Sequence, residues 1–394
     1  MDDANPDPWA ASTFGVRESL RDRLGESVAV ATVSDVEGAA YRRPGAKMVL
    51  DDDDEVGAIT AGCLEGPVAE LADRALVDGP LRQTFDLTSE DDTWSFGLGC
   101  NGVIDVLVEP ADGSFGPALD RVTAGERVAL LTVVGGDHPA RVGARAVADP
   151  SGGIEATDAR EPIPDDVLAG VRETAREFAE SGQSDTVAVE TDRGTAEVFV
   201  DGYEPTPQLL VFGSDNDVRP VSRLGRDAGF EVTVASARGA RADAERFPAA
   251  HRVVAARPTE VAEVIERPED TYAVVMSHNF VDDRLALEAL LDTAVPYVGV
   301  MGPRKRFEEM RAALAEEDVG LSESDRERVA TPVGLDLGGG EPMQVALSVV
   351  SEVLAVANGR EGGRLTRREE PIHPRPESAS SPEDESASDD ADSS

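Results

Sequence analysis

Cys63 and Cys100 are the two cysteines of this 394-residue chain, and their thiols are its most reactive candidates for a functional site. Cys63 lies in "ITAGCLEGPVAELADRAL", between a short apolar run and a stretch whose apolar residues have helical spacing. We expect Gly66 to be the N-cap and Pro67 to be the first helical residue. Unpaired N–H groups and the positive end of the helix dipole would then favour a Cys63 thiolate. A buried structural cysteine is the alternative, and the spacing alone does not separate the two.

The surroundings of the two cysteines differ in charge and in glycine content. Arg42, Arg43 and Lys47 precede Cys63 and are expected to add positive potential around it. Cys100 lies in "GLGCNG", where three glycines in six residues indicate close backbone approach or positive φ. Such a loop can surround an anionic group with its amides, whereas the alternative is a plain turn before a strand. There is no CxxC pair and the four histidines are isolated, so metal ligation is not expected.

The net charge of −41 is spread along the whole chain, with 78 acidic residues against 37 basic ones. Dispersed acids with almost no lysine are typical of a halophile's solvated surface, and an ordinary acidic cytosolic protein is the alternative. This charge repels phosphate backbones, so we expect no nucleic-acid binding. No signal segment or membrane-length apolar run is present in the sequence, which predicts a cytoplasmic protein without membrane contact.

The first part of the chain contains an internal sequence repeat. Residues 28–56 and 128–154 both contain an apolar strand, Thr-Val, a loop, Gly-Ala, a basic residue, a second apolar strand and an acidic turn. We therefore predict an N-terminal α+β domain over 15–204, made of two related units over 15–112 and 118–204. The second unit lacks both cysteine motifs, so specialised chemistry is expected in the first.

The later part of the chain alternates short apolar strands with helical segments from 207 to 358. This rhythm predicts a Rossmann-like domain with a doubly wound parallel sheet. The predicted fold class is therefore α/β, with an N-terminal α+β domain followed by the Rossmann-like domain. Residues 361–394 are rich in proline, serine and acids, and we expect them to form a disordered acidic tail.

The first βα turn of the Rossmann-like domain, "VFGSDNDVRP", is a poor dinucleotide fingerprint. Gly213 is the one fingerprint glycine present, and Asp215 stands where a pyrophosphate would approach. The next strand ends in Ser236 instead of a ribose-binding acid, so NAD(P) is not an expected cofactor, although Arg238 could tolerate an added phosphate. Further along, "MSHNF", "GVMGPRKR" and "GLDLGGGEP" are expected at the carboxyl edge of the sheet. Within them, His278 is either a hydrogen-bonded turn residue or a catalyst.

Taken together, these motifs resemble the XdhC/CoxI family, the accessory proteins of molybdenum-containing hydroxylases. The resemblance is carried, in the family's order, by "ATVSDVEGAAYRRPGAKMVL", "GAITAGCLEGPVAE", "GLGCNGVIDVLVEP", "VFGSDNDVRP", "VVMSHNFVDD", "YVGVMGPRKR" and "VGLDLGGGEPMQVALSVVSEVLA". It implies binding of molybdenum cofactor (molybdopterin), protection of that cofactor during sulfuration by a cysteine desulfurase, and its transfer to an apo-hydroxylase. The client would be of the xanthine dehydrogenase or the carbon monoxide dehydrogenase type.

The resemblance implicates Cys63 in transient cofactor binding, and no catalytic residue or resident metal is predicted. With the motif positions added, the candidate cofactor-binding residues are Arg42, Arg43, Lys47, Gly62, Cys63, Glu65, Cys100, Asn101, Gly213, Asn216, Asp217, His278, Asn279, Gly302, Arg304 and Asp336. The chain departs from the family at Ser214-Asp215 and Ala235-Ser236, where the family usually has Ala-Gly and Val-Asp. The expected partners are the apo-hydroxylase, the desulfurase and a second copy of the chain. A nucleotide-dependent oxidoreductase and a ligand-free scaffold are the alternatives.

Overall fold

The computed structural model describes residues 8–51, 54–88, 102–316 and 320–367. The chain divides into two compact units, one ending at Pro205 and the other spanning Thr206–Leu365. The first is called the N-terminal unit and the second the C-terminal unit, and each has its own sheets and cores. In the parts of the chain given above, no helix combines the length and the apolar character needed to cross a membrane.

The first half of the N-terminal unit is a five-stranded antiparallel sheet with the order β3-β2-β1-β5-β4. A helix connects β3 to β4 and packs on one face of this sheet. The elements are α1 (Thr13–Asp22), β1 (Ala29–Gly38), β2 (Lys47–Leu50), β3 (Glu55–Gly57), α2 (Glu65–Asp78), β4 (Leu81–Asp86) and β5 (Gly102–Pro110).

The second half repeats this topology with the order β8-β7-β6-β10-β9. Its elements are α3 (Gly116–Thr123), β6 (Val128–Gly136), β7 (Arg145–Ala148), β8 (Ile154–Ala156), α4 (Asp165–Ser181), β9 (Ser184–Thr191) and β10 (Gly194–Tyr203). Even the irregularity in pairing is shared, because the ladder shifts register after Val33 in β1 and after Val133 in β6. The two halves are therefore two copies of one supersecondary unit.

The two sheets of the N-terminal unit face each other across a shared core. Each sheet packs its outer face on its own helix, α2 or α4, and its inner face on residues from both halves, including α1 and α3. Because side chains alternate along a strand, β2 sends Met48 and Leu50 toward α2 and Val49 toward the shared core. The layers therefore run helix, sheet, sheet, helix.

Two buried ion pairs cross between the sheets in a reciprocal arrangement. Lys47, the first residue of β2, pairs with Asp201 of β10, and Arg145, the first residue of β7, pairs with Glu109 of β5. The two cations hold corresponding positions, because they lie opposite Thr32 and Thr132. The two acids also correspond, since Glu109 lies opposite Val30 of β1 and Asp201 lies opposite Leu130, the matching residue of β6. Each half therefore contributes one cation and one anion to the two ion pairs.

The C-terminal unit is a six-stranded parallel sheet with the order β13-β12-β11-β14-β15-β16, the doubly wound order of a Rossmann-like fold. Its strands are β11 (Gln208–Phe212), β12 (Glu231–Ser236), β13 (Arg252–Ala255), β14 (Thr271–Val275), β15 (Tyr297–Val300) and β16 (Val329–Ala330). Its α-helices are α5 (Val218–Asp227), α6 (Phe280–Leu291), α7 (Arg304–Glu316), α8 (Glu323–Arg328) and α9 (Pro342–Ala357). The predicted fold class is confirmed.

Some local predictions were wrong. The apolar residues of "EVGAITAG" predict a strand over this whole stretch, but β3 ends at Gly57 and the residues that follow are bends that lead into α2. Local patterning also did not predict β4 and β9, the outer strands of their sheets, whose residues alternate weakly between apolar and polar. Of the expected tail, residues 368–394 lie outside the described chain.

Candidate functional site

One end of the first sheet collects the loops that carry candidate residues. The last residue of β1 pairs with the first residue of β5, and the last residue of β3 pairs with the second residue of β2. The β1–β2 loop (39–46) and the β3–α2 loop (58–64) therefore leave the sheet at the same end. Ala40, Ala46 and Cys63 from these loops pack against the same apolar cluster. We call residues 39–46 and 58–66 the Cys63 edge.

Cys63 is half-buried at this edge, with one side against the apolar cluster. The preceding residue, Gly62, has φ of 108°, a conformation that only glycine adopts readily. A β-carbon at Gly62 or at Gly66 would meet no other atom within 4 Å. Two glycines near the thiol in sequence, one directly before it and one three residues after it, therefore leave open space where other residues would place side chains.

The helix that follows Cys63 begins at Glu65, so the expected N-cap at Gly66 was wrong. The carboxylate of Glu65 accepts hydrogen bonds from the Thr60 hydroxyl at 2.6 Å, the Thr60 amide at 3.2 Å and the Leu64 amide at 3.1 Å. These bonds fix the turn that presents Cys63, so Glu65 orients the loop. Thr60 was not foreseen as a site residue; its signal in the sequence is a hydroxyl five residues before a carboxylate that opens a helix.

Two arginines of the β1–β2 loop stand at the Cys63 edge without a counter-charge from the residues that the structure describes. Arg42 is half-buried and Arg43 is exposed, and the guanidinium group of neither forms an ion pair or a hydrogen bond with any residue that the structure describes. Elsewhere in this acidic protein many arginines are paired with acids, as Arg82 is with Asp105. The Cys63 edge therefore has positive charge available for a ligand.

Lys47 does not contribute to that charge, contrary to expectation. Its ammonium lies on the inner face of the sheet, buried against Asp201, whereas Cys63 packs on the face covered by α2. Burial lowers the pKa of Lys47, and Asp201 partly offsets this shift. Lys47 is thus part of the core between the two halves. Cys100 and Asn101, also expected at the site, lie outside the described residues.

The remaining candidates belong to the C-terminal unit, at the carboxyl ends of its strands. Gly213 directly follows β11, and a β-carbon there would lie 2.7 Å from the Met276 carbonyl oxygen, so the glycine permits close approach of two strand ends. Asn216 is exposed in the same turn. Asp215 pairs with Arg241, which leaves the turn electrically compensated instead of positive.

His278 and Asp217 face each other at the point where the strand order reverses, between β11 and β14. His278 Nε2 lies 2.7 Å from Asp217 Oδ2, and His278 has a positive φ of 59°, which is uncommon outside glycine. The side chain of the next residue, Asn279, accepts hydrogen bonds from the amides of Val281 and Asp282, each at 3.0 Å, and so caps α6. His278 is thus a hydrogen-bonded turn residue held in a strained conformation.

The last three candidates lie on the segments that follow β15 and β16 at this edge. Gly302 follows β15 with φ of 120°, and Arg304, the first residue of α7, is exposed. Asp336 is exposed in the glycine-rich loop before α9. The C-terminal unit thus brings its predicted residues to one sheet edge, as expected for an open parallel sheet.

We predict that the protein does not bind NAD(H) tightly. The hydroxyl of Ser236 accepts a hydrogen bond from the Arg238 amide at 3.1 Å and donates one to the Arg238 carbonyl at 3.0 Å, so it closes a turn where a ribose-binding acid would stand. Asp215 would also repel the pyrophosphate. Calorimetric titration should therefore show no low-micromolar affinity for NADH, and NADPH should be titrated separately because of Arg238. A low-micromolar value for NADH would support the oxidoreductase alternative.

Comparison with known proteins agrees with this architecture. Residues 22–86 match the model of the XdhC and CoxI family, and residues 209–353 match the model of the XdhC Rossmann domain. A Bacillus halodurans protein, whose crystal structure is described as that of a xanthine dehydrogenase, superposes with a TM-score of 0.67 at 25% identity. The match covers 87% of this chain and 96% of that protein.

Two proteins are similar to this chain in sequence. A Bacillus subtilis (strain 168) protein, named as a probable xanthine dehydrogenase subunit, is 27% identical over 338 residues, which are 84% of this chain and 93% of the relative. The uncharacterised Escherichia coli (strain K12) protein YqeB is 28% identical over 189 residues, which are 48% of this chain and 34% of YqeB. The fold defines a two-unit protein with a Rossmann-like C-terminal unit. The chain belongs to the XdhC and CoxI family.

Proposed function

We propose that this protein is a maturation factor for a molybdenum hydroxylase of the xanthine dehydrogenase or carbon monoxide dehydrogenase type. In this role it binds molybdenum cofactor, holds it while a cysteine desulfurase provides the sulfur, and passes it to the apo-enzyme. Membership of the XdhC and CoxI family supports the proposal, as do the xanthine dehydrogenase names of two relatives. The cofactor is cargo, so the protein itself needs no catalytic residue.

The observation that carries the proposal is the chemistry of the Cys63 edge. Molybdenum cofactor combines a soft, thiol-seeking metal with a negatively charged phosphate. The edge offers a half-exposed thiol at Cys63, guanidinium groups at Arg42 and Arg43 that have no partner in the described part of the chain, and open space at Gly62 and Gly66. A cysteine thiolate is a soft ligand, and arginine is suited to phosphate. The residues present therefore fit the cargo.

The nucleotide-dependent oxidoreductase is the weaker candidate. The His278–Asp217 pair at the reversal of strand order is the kind of titratable pair that enzymes place in this crevice. The first βα turn, which contains Asp217, also contains Asp215, however, and it has only one of the three glycines of the dinucleotide fingerprint. The pair favours a role in proton transfer or in positioning more than it favours nucleotide binding.

The proposal is tested by measuring pterin and molybdenum in protein purified from its native host. We expect both at a stoichiometric level, together with activation of apo-xanthine dehydrogenase when the loaded protein is added with a cysteine desulfurase. The control is the same apo-enzyme with free cofactor at equal concentration. Protein that carries no pterin after incubation with excess cofactor would refute the proposal.

A further inference from the structure

The repeated architecture of the N-terminal unit allows the Cys63 edge to be compared with its counterpart in the second half. The loops before β2 and β7 close with the same turn: the Ala46 amide bonds to the Arg43 carbonyl at 3.1 Å, and the Ala144 amide bonds to the Arg141 carbonyl at 2.9 Å. Arg43 and Arg141 are therefore corresponding residues.

The start of the helix gives a second correspondence. Helices α2 and α4 occupy the same place in the two halves, each between the third and fourth strand of its sheet. Counted from the first residue of each helix, Ala61 corresponds to Glu161 and Gly66 corresponds to Asp166. The first half thus has no carboxylate at two positions where the second half has one.

Both carboxylates of the second half are bound by basic side chains. Glu161 Oε1 lies 3.1 Å from Arg141 Nη1. Asp166 accepts hydrogen bonds from Arg193 at 2.8 and 2.5 Å, and His138 Nε2 lies 3.2 Å from Asp166 Oδ2. These contacts, the bond from Arg193 first, hold the pKa of Asp166 well below its usual range. At the place that corresponds to the Cys63 edge, the second half therefore has two carboxylates of its own.

In the first half the cation that corresponds to Arg141 is kept, whereas the positions that correspond to Glu161 and Asp166 carry no carboxylate. Arg43, which corresponds to the paired Arg141, has no partner among the described residues. Gly66 is exposed with no atom near its missing β-carbon, and Ala61 is exposed as well. The charge and the space that the second half uses internally are thus left available.

We propose that the Cys63 edge is a phosphate-binding subsite, in which a phosphate monoester group of the ligand takes the place that the Glu161 and Asp166 carboxylates occupy in the second half. Arg43 binds this phosphate directly, and the absence of a side chain at Gly66 makes room for it. The inference rests on the proposed function and adds to it: the phosphate of the cargo anchors at 61–66, beside the thiol of Cys63.

The first test compares the same substitution in the two halves. Binding of inorganic phosphate is measured by phosphorus-31 NMR line broadening, at the lowest chloride concentration that keeps the protein folded. Arg43→Gln is expected to weaken phosphate binding about tenfold, since a charge-assisted hydrogen bond is lost. Arg141→Gln removes the same charge from the corresponding position and is expected to leave binding unchanged. Equal effects of the two variants would overturn the inference, as would wild-type protein that binds no phosphate.

The second test introduces the missing carboxylate. Gly66→Asp should abolish phosphate binding, because the new carboxylate stands where Asp166 stands in the second half and repels the phosphate from the subsite. Its melting temperature should not fall, since the position is open and an acid is favourable in the first turn of a helix. Val77→Asp places the same charge at an exposed position near the other end of α2 and should retain binding. A folded Gly66→Asp variant that still binds phosphate would overturn the inference.

The outcome is separable from that of the proposed function. Retention of pterin without phosphate binding by the wild type would refute the subsite and leave the maturation role in place. Phosphate binding with the pattern above, in a protein that retains no pterin, would support the subsite and refute the molybdenum cofactor as its ligand.

Discussion

Replacing Cys63 with serine is expected to leave the fold intact and to abolish retention of molybdenum cofactor. Serine keeps the size of the side chain but removes most of its nucleophilicity and its soft-ligand character. The position is half-buried, with open space at the nearby Gly62 and Gly66, so the exchange should disturb packing little. The measurement is pterin retained per mole of protein, together with activation of the apo-hydroxylase.

A second substitution distinguishes function from packing at this position. In the second half, Cys63 corresponds to Ile163, which is buried in the core beneath α4. If Cys63 served packing alone, Cys63→Val would behave like the wild type and Cys63→Ser would be the damaging change. If the thiol binds the cofactor, both variants lose it while both remain folded. Full retention by Cys63→Val would assign the residue to the core, and Cys100→Ser is expected to have a smaller effect than Cys63→Ser.

The fold could be predicted because its signals are local and repeated. The alternation of apolar strands with helical segments after residue 207 requires a parallel sheet, since parallel strands need a long crossover. The two halves of the N-terminal unit were visible because each repeats Thr-Val and Gly-Ala plus a basic residue, at Lys47 and at Arg145. Those residues recur because the same strand pairing, Thr32 with Lys47 and Thr132 with Arg145, is built twice.

The face of the sheet on which Lys47 lies could not be predicted, because the sequence of its strand does not show which residues point to which face. All four residues of "KMVL" are buried, since the sheet is covered on both faces. The usual alternation of apolar and polar residues is therefore absent, and nothing local shows which side chains face α2. The sequence reveals a rare lysine near a cysteine, whereas its partner, Asp201, lies 154 residues away along the chain.

The start of α2 was mispredicted for a related reason. Proline favours the first turn of a helix, and placing Pro67 first made Gly66 the apparent cap. The helix instead begins two residues earlier, where Glu65 is held by Thr60 in a contact that depends on the fold of the preceding loop. Tertiary hydrogen bonds of this kind decide element boundaries, which local preferences only approximate.

The reciprocal ion pairs couple the two halves of the N-terminal unit through its core. The side chains of Lys47 and Asp201 are 7% and 4% exposed, and those of Arg145 and Glu109 are each 1% exposed. Removing one member of such a pair leaves a charge in the core without compensation. The two halves should therefore unfold together, and damage to one pair should destabilise both sheets.

Asp201→Asn is accordingly expected to destabilise the protein by about 3–5 kcal/mol at neutral pH, because it leaves the Lys47 ammonium buried without its counter-charge. For a unit of this size such a loss lowers the melting temperature by roughly 6–20 °C. Circular dichroism in thermal melts measures the change. The matched control, Glu173→Gln, breaks an exposed pair with Arg176 and should leave the melting temperature unchanged.

The pH dependence of Asp201→Asn identifies Lys47 as the cause. Burial lowers the pKa of Lys47 from its ordinary value of 10.5, and Asp201 raises it back in part, so the pKa falls further in the variant. Between that lowered pKa and 10.5, the unfolded chain binds more protons than the folded chain, and the free energy of unfolding therefore rises with pH. The deficit of Asp201→Asn relative to the wild type should consequently shrink as the pH is raised from neutral toward 10.5. A deficit that stays constant or grows over this range, or a variant as stable as Glu173→Gln, would show that the Lys47 ammonium does not depend on Asp201 for its place in the core.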